Sequence, residues 1–366
     1  MNYALILQWV VKSLILIFSL VGGFAYLTFY ERKALARIQV RIGPNRAGPG
    51  GWLQPVADGI KLIFKEELIP AKSDKLIFIL APIVTVLPAF VILAVVPFGT
   101  NLQLFRQQIS LSITDINVGV LYIMAVTSIS VYGIVLAGWS SNNKYAMMGG
   151  IRSSAQMISY ELALGLAFIG PILLSGSLSL ADIVADQKGV WYVFLQPVGA
   201  FVYWIATLAE VNRAPFDMPE AEQELTAGYH TEYSGMKFAL FFMAEYVKMI
   251  AVSAIAACLF FGGYRGPLID RFTWLGPIYL FIKVALLLFG MIWVRATLPR
   301  IRYDRLMAFG WKLLFPIALI NVFVTAIGIV LGEVNPGAIW SIPIVTALIF
   351  LLVVYLARNA IAGGNK

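Results

Sequence analysis

The stretch from residue 209 to 235, AEVNRAPFDMPEAEQELTAGYHTEYSG, concentrates negative charge beside an apolar run. Six of the 19 acidic residues of the chain lie in it, against one basic residue, Arg213. The six are Glu210, Asp217, Glu220, Glu222, Glu224 and Glu232. Pro215 and Pro219 stiffen the backbone here. The pattern favours an acidic loop of defined shape at 210–236, and a freely solvated acidic loop is the alternative.

Carboxylates also occur inside apolar runs. Glu161 lies in ISYELALGLAF, and Glu245 lies in FFMAEYVKMIA. An ionised carboxylate in a membrane costs about 2.5–3.5 kcal/mol on insertion scales, whereas a carboxyl that is neutral near pH 7 can take up and release protons. Lys248 follows Glu245 by three residues, so an ion pair on one helix face is the alternative. With Glu210, these acids predict a line of ionisable groups running from the acidic loop into the bilayer, which favours proton or cation conduction.

The composition requires a membrane around these groups. The chain is 60% hydrophobic and 13% charged, with a mean hydropathy of +0.84, whereas soluble domains contain about 25% charged residues. Cys258 and His230 are the single cysteine and the single histidine. The chain alone therefore cannot form a disulfide, a zinc site of these ligands, a cysteine-bound iron–sulfur cluster or a haem held by two histidines.

Apolar runs long enough to cross about 30 Å of hydrocarbon predict the architecture. The nine runs lie near 5–30, 76–97, 118–140, 156–175, 190–209, 237–262, 275–296, 311–332 and 339–357. Because lipid allows only helices or closed barrels and these runs are too long for strands, we expect an all-α, polytopic transmembrane bundle. The chain, 1–366, is then one integral membrane domain with eight core spans and a ninth, which Pro343 interrupts.

The basic residues predict the orientation. With alternating crossings, one set of loops contains 20 Lys and Arg residues and the opposite set contains four. Cytoplasmic loops carry the excess of positive charge, so we expect the N-terminus outside and the long loops in the cytoplasm. This asymmetry accounts for most of the net charge of +8, and no nucleic-acid partner is needed to explain it.

The first long loop, 31–75, contains a second candidate site. GPNRAGPGG has the glycine and proline density of a tight irregular turn. The following LQPVADGIKLIFKEELI predicts an amphipathic helix in the membrane interface, with Val56 and Ile60 on its apolar side. A surface anchor is one interpretation. The other is the frame of an opening for a lipid-like ligand, with Asp58, Arg41 or Arg46 near its polar end.

Several long segments of the sequence resemble one family. They are ERKALARIQVRIGPNRAGPGGWLQPVADGIKLIFKE, AGWSSNNKYAMMGGIRSSAQMISYE, AEVNRAPFDMPEAEQELTAGYHTEYSG, FFMAEYVKM and RATLPRIRYDRLM. The chain resembles the NADH dehydrogenase subunit 1 family, the H subunit of bacterial respiratory complex I (proton-translocating NADH:quinone oxidoreductase), from the first span to about residue 320.

The resemblance implies a location and a set of partners. Such a subunit lies in the bacterial cytoplasmic (inner) membrane, at the junction with the hydrophilic arm. It forms the quinone entrance and part of the quinone chamber, with quinone as substrate and no redox cofactor of its own. FMN and iron–sulfur clusters belong to partner subunits, and the hydrophilic-arm subunit that holds the quinone head docks on its cytoplasmic loops. Small and antiporter-like membrane subunits of the same complex are the other partners.

The resemblance also implies roles for individual residues. The proton-coupling group corresponds to Glu161, Glu210, Glu245, Asp217, Glu220, Glu222 and Glu224. The quinone-chamber group corresponds to Arg32, Arg41, Arg46, Asp58, Arg213, Arg295, Arg300 and Arg302. Quinone is expected to enter between the first span, the sixth span and the interfacial helix. The acidic loop then senses its reduction, and Glu210, Glu161 and Glu245 change protonation in that order.

Two features depart from the family pattern. The run 339–357 is an extra C-terminal helix, and the third span carries no acidic residue, whereas some relatives have a carboxylate there. The homologous membrane subunit of a hydrogenase or ferredoxin-linked complex is the nearest rival interpretation. A stand-alone ion transporter is a more distant one, because it would show paired halves with helices broken in matching places.

Overall fold

The computed structural model describes residues 3–100, 102–104, 107–217, 227–269 and 271–363. Long helices dominate this part of the chain, because a helix satisfies its backbone hydrogen bonds without water. The helices are α1 (Tyr3–Ile38), α2 (Gln54–Ile63), α3 (Lys75–Ile92), α4 (Gly119–Ser140), α5 (Lys144–Ser175), α6 (Leu180–Asp186), α7 (Tyr192–Leu195), α8 (Pro197–Glu210), α9 (Gly235–Phe260), α10 (Leu275–Thr297), α11 (Tyr303–Phe309), α12 (Phe315–Val334) and α13 (Ser341–Gly363). An antiparallel hairpin of β1 (Leu102–Leu104) and β2 (Gln107–Ile109) follows α3.

Seven helices in the described residues are long and apolar enough to cross a membrane. They correspond to the predicted spans one to four and six to eight, and they confirm the all-α polytopic bundle. In the eighth span, α11 and α12 are joined by a π-helical turn at Gly310–Leu314. Two spans exceed their predicted bounds, since α1 runs for 36 residues and α5 for 32. Each is longer than the roughly 20 residues that cross the hydrocarbon.

The fifth predicted span, 190–209, is not one continuous helix. It is divided at Gln196 into the single turn α7 and the 14-residue helix α8. Gln196 has φ −133° and ψ 61°, because the following Pro197 disfavours a helical conformation at the residue before it. Pro197 itself fits the first position of α8. At 1.5 Å per residue, α8 is about 21 Å long and ends at Glu210.

The predicted ninth run forms helix α13. Pro343 lies in the first turn of this helix, where a proline is tolerated, and therefore does not interrupt it. The helix packs against α12 and α8: Ile342 is fully buried, and the rings of Phe201 and Phe350 meet edge to face with centroids 5.5 Å apart. Gly328 lies so close to Ile342 that an added Cβ would be 2.3 Å from its Cγ1. The absence of a side chain at Gly328 thus permits this contact.

The predicted irregular turn and the following helix are both present. Gly48, Gly50 and Gly51 all have positive φ, and a Cβ at Gly51 would lie 2.3 Å from the carbonyl oxygen of Pro44. This close approach requires glycine. The helix α2 buries none of its residues within the described chain. Its apolar side is therefore free to contact lipid or another protein.

The centre of the bundle is helix α9. Every residue from Tyr246 to Phe260 except Ile250 is buried, and the helix contacts α1, α3 and α10. Alanines at 251, 254, 256 and 257 let neighbouring backbones approach closely, as small residues do in membrane bundles. Two charged residues, Glu245 and Lys248, are placed in the interior by this central helix.

Candidate functional site

Arg213 lies at the centre of a buried group of charges. Its Nη1 donates to Oε1 of Glu31 at 2.8 Å, and its Nε contacts Oε1 of Glu245. The guanidinium also lies over the ring of Tyr246, 4.4 Å from the centroid. Arg213 and Glu31 are 5% and 2% exposed. One arginine on the loop after α8 therefore bridges two carboxylates from different helices, α1 and α9.

The loop that carries Arg213 is held by helix α5. Gln156 Nε2 donates to the carbonyl oxygens of Ala209 and Phe216, both at 2.8 Å, and Asn212 Nδ2 donates to Ser153 Oγ at 2.9 Å. Asn212 has a φ of 54°, a conformation that asparagine tolerates better than most residues. These side-chain bonds fix the turn that directs Arg213 into the bundle.

Two further arginines extend this group towards its rim. Arg295, in the last turn of α10, contacts Oε1 of Glu31, and Arg300 donates to Oδ2 of Asp217 at 3.0 Å. We call these six residues the arginine cluster: Glu31, Arg213, Asp217, Glu245, Arg295 and Arg300. Three carboxylates thus lie with three guanidinium groups. A buried charge that loses its partner costs about 3–5 kcal/mol, so this balance matters to stability.

Burial and charge act in opposite directions on the loop residues of this cluster. Burial raises the pKa of Asp217, and Arg300, Arg295 and Arg213 oppose it only in part, so the pKa lies above its ordinary value. Burial lowers the pKa of Arg213, but Glu245 and Glu31 more than reverse that effect and raise it. Arg213 therefore stays charged, whereas Asp217 is the loop acid shifted towards protonation.

A second group of polar residues lies around Lys248. Its Nζ is 3.2 Å from Oε1 of Glu210 and donates to Ser130 Oγ at 3.0 Å. Glu161 accepts a hydrogen bond from Ser128, on the same helix as Ser130. We call these five residues the lysine cluster: Ser128, Ser130, Glu161, Glu210 and Lys248. The alternative of a Glu245–Lys248 pair is wrong, because Glu245 contacts Arg213 while Lys248 contacts Glu210.

A small cavity lies between the two clusters. Its volume is about 30 Å³, and its lining includes Ser130, Glu210, Glu245 and Lys248. A cavity of this size with several polar groups can hold a water molecule. Among the residues that the structure describes, Oε2 of Glu210 has no hydrogen-bond partner. Water at this position would connect the carboxylates of the two clusters.

An apolar cleft of about 560 Å³ lies between the first, sixth and seventh spans. Its walls include Leu20 and Leu27 of α1, Ile250 of α9 and Leu280 of α10. Tyr30, next to Glu31 in the sequence, also lines it. The cleft thus runs along α1 towards the arginine cluster, and its lining includes the seventh span but no residue of α2.

The remaining predicted residues are not gathered into these clusters. Arg32 pairs with Asp58 at 2.7 Å and so connects α1 to α2. The side chain of Arg41 donates to that of Gln39, at 2.7 Å. Arg41, Arg46 and Arg302 are exposed. Glu220, Glu222 and Glu224 lie outside the described residues.

Sequence reasoning placed Arg213, Arg295 and Arg300 at the site but missed Glu31. A signal for it was present, because Leu20, Phe24, Leu27 and Glu31 repeat at helical spacing and so share one face. Leu20 and Leu27 are buried on this face, as Glu31 is. Helix α1 continues without a break past Glu31 to Ile38, so the end of the apolar run does not mark the end of the helix.

Comparisons with known proteins complete the description of the site. A model of the NADH dehydrogenase family matches residues 11–326. Over 331 residues, the chain is 52% identical to an H subunit of NADH-quinone oxidoreductase from Geobacter metallireducens, covering 87% of this chain and 94% of that protein. It is 50% identical over 323 residues to the H subunit of NADH-quinone oxidoreductase from Thermomicrobium roseum, covering 86% and 93%. Both clusters lie inside the matched residues, whereas α13 lies beyond them.

Proposed function

This chain belongs to the NADH dehydrogenase family, and on that basis we propose that it couples quinone reduction to proton translocation in a membrane-bound NADH–quinone oxidoreductase. It lies where the membrane part of the complex meets the hydrophilic arm. Relatives over more than 80% of the chain are named as subunits of that enzyme. This extent of similarity supports the quinone enzyme over a hydrogenase or ferredoxin-linked complex and over a stand-alone transporter.

Electron transfer takes place on partner subunits. The chain has one cysteine and one histidine, which is too few for an iron–sulfur cluster or a haem held by two histidines. FMN and the iron–sulfur clusters belong to the hydrophilic arm, and a subunit of that arm holds the quinone head. The small and antiporter-like membrane subunits of the complex receive the proton-coupled signal. Positive charge on one set of loops supports placing those loops in the cytoplasm, with the N-terminus outside the cytoplasmic membrane.

The apolar cleft is suited to a quinone tail. Its volume of about 560 Å³ lies within the usual range for small-molecule sites, and its walls are hydrocarbon side chains that match an isoprenoid chain. Tyr30, which lines the cleft, precedes Glu31 of the arginine cluster in the sequence. The tail therefore enters between the first, sixth and seventh spans, while the head continues to the partner subunit.

The arginine cluster is suited to receive the signal of reduction. Its three acids and three arginines balance, so a new negative charge on the quinone, or a proton on the acidic loop, disturbs the balance. Two unit charges 4 Å apart interact by about 4 kcal/mol near a protein surface. Because arginine does not release its proton, the carboxylates must carry the change in protonation.

The contacts support an order for proton movement that differs from the sequence-based one. Glu245 belongs to the arginine cluster and borders the cavity, whereas Glu210 and Glu161 belong to the lysine cluster beyond it. The disturbance therefore passes from Asp217 and Glu245 to Glu210 and then to Glu161. The observation that carries this proposal is the pairing of Arg213 with Glu245 beside the cavity that Glu210 also lines.

The test is Glu245→Gln in the assembled complex. We expect quinone reduction to lose its coupled proton translocation in sealed vesicles, while electron delivery to a water-soluble acceptor on the hydrophilic arm is kept. Glu333→Gln is the matched control, because this exposed acid lies at the end of α12, apart from both clusters. Full proton translocation by Glu245→Gln would count against the proposal.

A further inference from the structure

Lys248 is a buried cation to which the function described so far gives no role. It is 7% exposed, in the middle of the central helix α9. An ammonium group has three hydrogens to donate, and two acceptors lie within reach, Oε1 of Glu210 at 3.2 Å and Oγ of Ser130 at 3.0 Å. Ser130 donates its own hydrogen to the carbonyl oxygen of Thr127 at 2.7 Å. Its lone pair is thus directed to the lysine.

The charges around Lys248 do not balance, in contrast to the arginine cluster. Glu210 at the end of α8 and Glu161 on α5 are both acidic, and Glu161 interacts electrostatically with Glu210 and with Lys248. On α9 itself the nearest acid, Glu245, is already paired with Arg213. Helix α4 contributes the hydroxyl groups of Ser128 and Ser130. Two phenol groups are also near, since Tyr229 lines the cavity with Lys248 and Tyr203 interacts electrostatically with Glu210. One cation therefore faces two carboxylates, and a second unpaired negative charge in this interior is costly.

The two carboxylates have different partners. Glu210 is paired with the ammonium group, which favours its ionised form. Glu161 has the hydroxyl group of Ser128, a partner that suits a neutral carboxyl as well as a charged one. The electrostatic energy is lowest when Glu161 and Glu210 share one proton and that proton lies on Glu161, which has no cation as its hydrogen-bond partner among the described residues.

We propose that Lys248 is a positioning residue of the proton path, which keeps Glu210 ionised so that the proton shared by the two acids resides on Glu161. This inference rests on the function proposed above. Glu210 is thereby the proton acceptor of the pair; within the described part of the chain its Oε2 has no hydrogen-bond partner, and Glu210 lines the cavity that Glu245 also lines. A flexible four-carbon chain lets the ammonium group follow the negative charge when the proton moves.

The experiment compares Lys248→Met and Lys248→Arg in the assembled complex, with Ser253→Ala on the same helix as a control for disturbance of α9. Ser253 is fully buried, and its hydroxyl has no hydrogen-bond partner in the described chain. In Lys248→Met, Glu210 loses its counter-charge and becomes protonated. We expect coupled quinone reduction at pH 7 to fall by about tenfold or more and to recover at alkaline pH. Lys248→Arg should keep the pH profile of the wild type, because its positive charge still pairs with Glu210, and any loss of rate from the less adaptable guanidinium group should come without the alkaline shift.

Ser130→Ala gives a second test if Lys248→Met does not assemble. It keeps both charges and removes one acceptor of the ammonium group, so a smaller loss with the same alkaline shift is expected. Three outcomes would overturn the inference: an unchanged rate in Lys248→Met, a loss without a shift of the pH profile, or a loss in Lys248→Arg equal to that in Lys248→Met. If Glu210→Gln is uncoupled while Lys248→Met is normal, the inference alone fails. Normal coupling in both would also overturn the proposed function.

Discussion

At the scale of single residues, the site consists of ionisable side chains that each contact a partner far away in sequence. Arg213 meets Glu31, 182 positions earlier, and Arg295 meets the same acid from 264 positions later. Such pairs contribute little net stability when complete, but the loss of one partner leaves a charge that hydrocarbon cannot solvate. A substitution in the arginine cluster should therefore destabilise the protein more than the loss of an ion pair on the surface would.

Replacing Arg213 by Ala should destabilise the subunit strongly. Glu31 would keep Arg295, but Glu245 would be left without a guanidinium partner among the described residues, at a cost of about 3–5 kcal/mol. The thermal denaturation midpoint of the assembled complex is the measurement. Arg41→Ala is the matched control, because Arg41 is exposed and its side chain donates a hydrogen bond to that of Gln39, outside both clusters. Equal midpoints in the two variants would contradict the structural role of the arginine cluster.

His230 should make stability depend on pH. Its ring lies edge-on to Tyr229 and Phe238, with centroids 4.6 and 5.6 Å away, and burial lowers its pKa from 6.5 to about 4. The unfolded chain therefore binds a proton between pH 6.5 and 4 while the folded chain does not, so stability falls as the pH drops through this range. The contribution lost on going from neutral pH to pH 5 is about 2 kcal/mol, since pH 5 lies about 1.5 units below the unfolded pKa and each unit is worth about 1.4 kcal/mol.

The corresponding measurement is the denaturation midpoint at pH 7.5 and pH 5, in the wild type and in His230→Gln. The variant should lose less stability on acidification, because glutamine does not titrate. An identical acid-induced loss in both proteins would show that the imidazole is accessible to protons in the folded state.

At the scale of the elements, the sequence predicts what depends on local pattern and misses what depends on neighbours. The seven long spans, the glycine turn and the amphipathic helix follow from periodicity and from residue conformation. Pro197 indicates a break at Gln196. The continuous apolar character of 190–209, however, predicts a single span there. The pairing of Lys248 with Glu210 instead of Glu245 depends on how α8 packs against α9, and spacing along one helix contains no such information.

The cleft gives a prediction at this scale. Ala285 lines it, so Ala285→Phe should obstruct the space between α1 and α10. We expect the KM for a long-tailed quinone to rise by about tenfold, since one lost methylene-scale contact already changes binding by this order. A short-tailed quinone should be affected much less. The matched control is Leu286→Phe, because Leu286 is 66% exposed. Equal effects of Ala285→Phe on the KM for both quinones would contradict the proposal that the quinone tail enters through the cleft.

Helix α13 should be needed for stability but not for turnover. It begins after residue 326, where the match to the family ends, and its contacts are apolar ones with α12 and α8. Removal of residues 336–366 should lower the denaturation midpoint, because Gly328 loses its contact with Ile342 and Phe201 loses its contact with Phe350. The rate of quinone reduction should stay within about twofold of the wild type. Loss of activity in a complex that still assembles would give this helix a direct role.

At the scale of the whole molecule, a bundle of apolar helices holds two clusters of charge on either side of one small cavity. The arginine cluster has equal numbers of acids and arginines, and Tyr30, next to its Glu31 in the sequence, lines the apolar cleft. The lysine cluster has one acid more than it has cations, so it can hold an exchangeable proton. The sequence predicts that such acids exist and that they lie in a membrane. Only the packing of the helices shows which acids are held by arginine and which share a lysine.

The most direct test is the infrared difference spectrum of the assembled complex on reduction of its quinone, for the wild type and for Glu161→Gln, Glu210→Gln and Glu245→Gln. If buried carboxylates change protonation when quinone is reduced, the carboxyl bands of the wild type must lose a component in the Glu161→Gln and Glu210→Gln spectra. We predict that loss in both variants and a corresponding loss in Glu245→Gln, because Glu245 takes part in the same proposed proton movement. Carboxyl bands identical in all four proteins would mean that these acids are indifferent to the quinone, and the account would be contradicted.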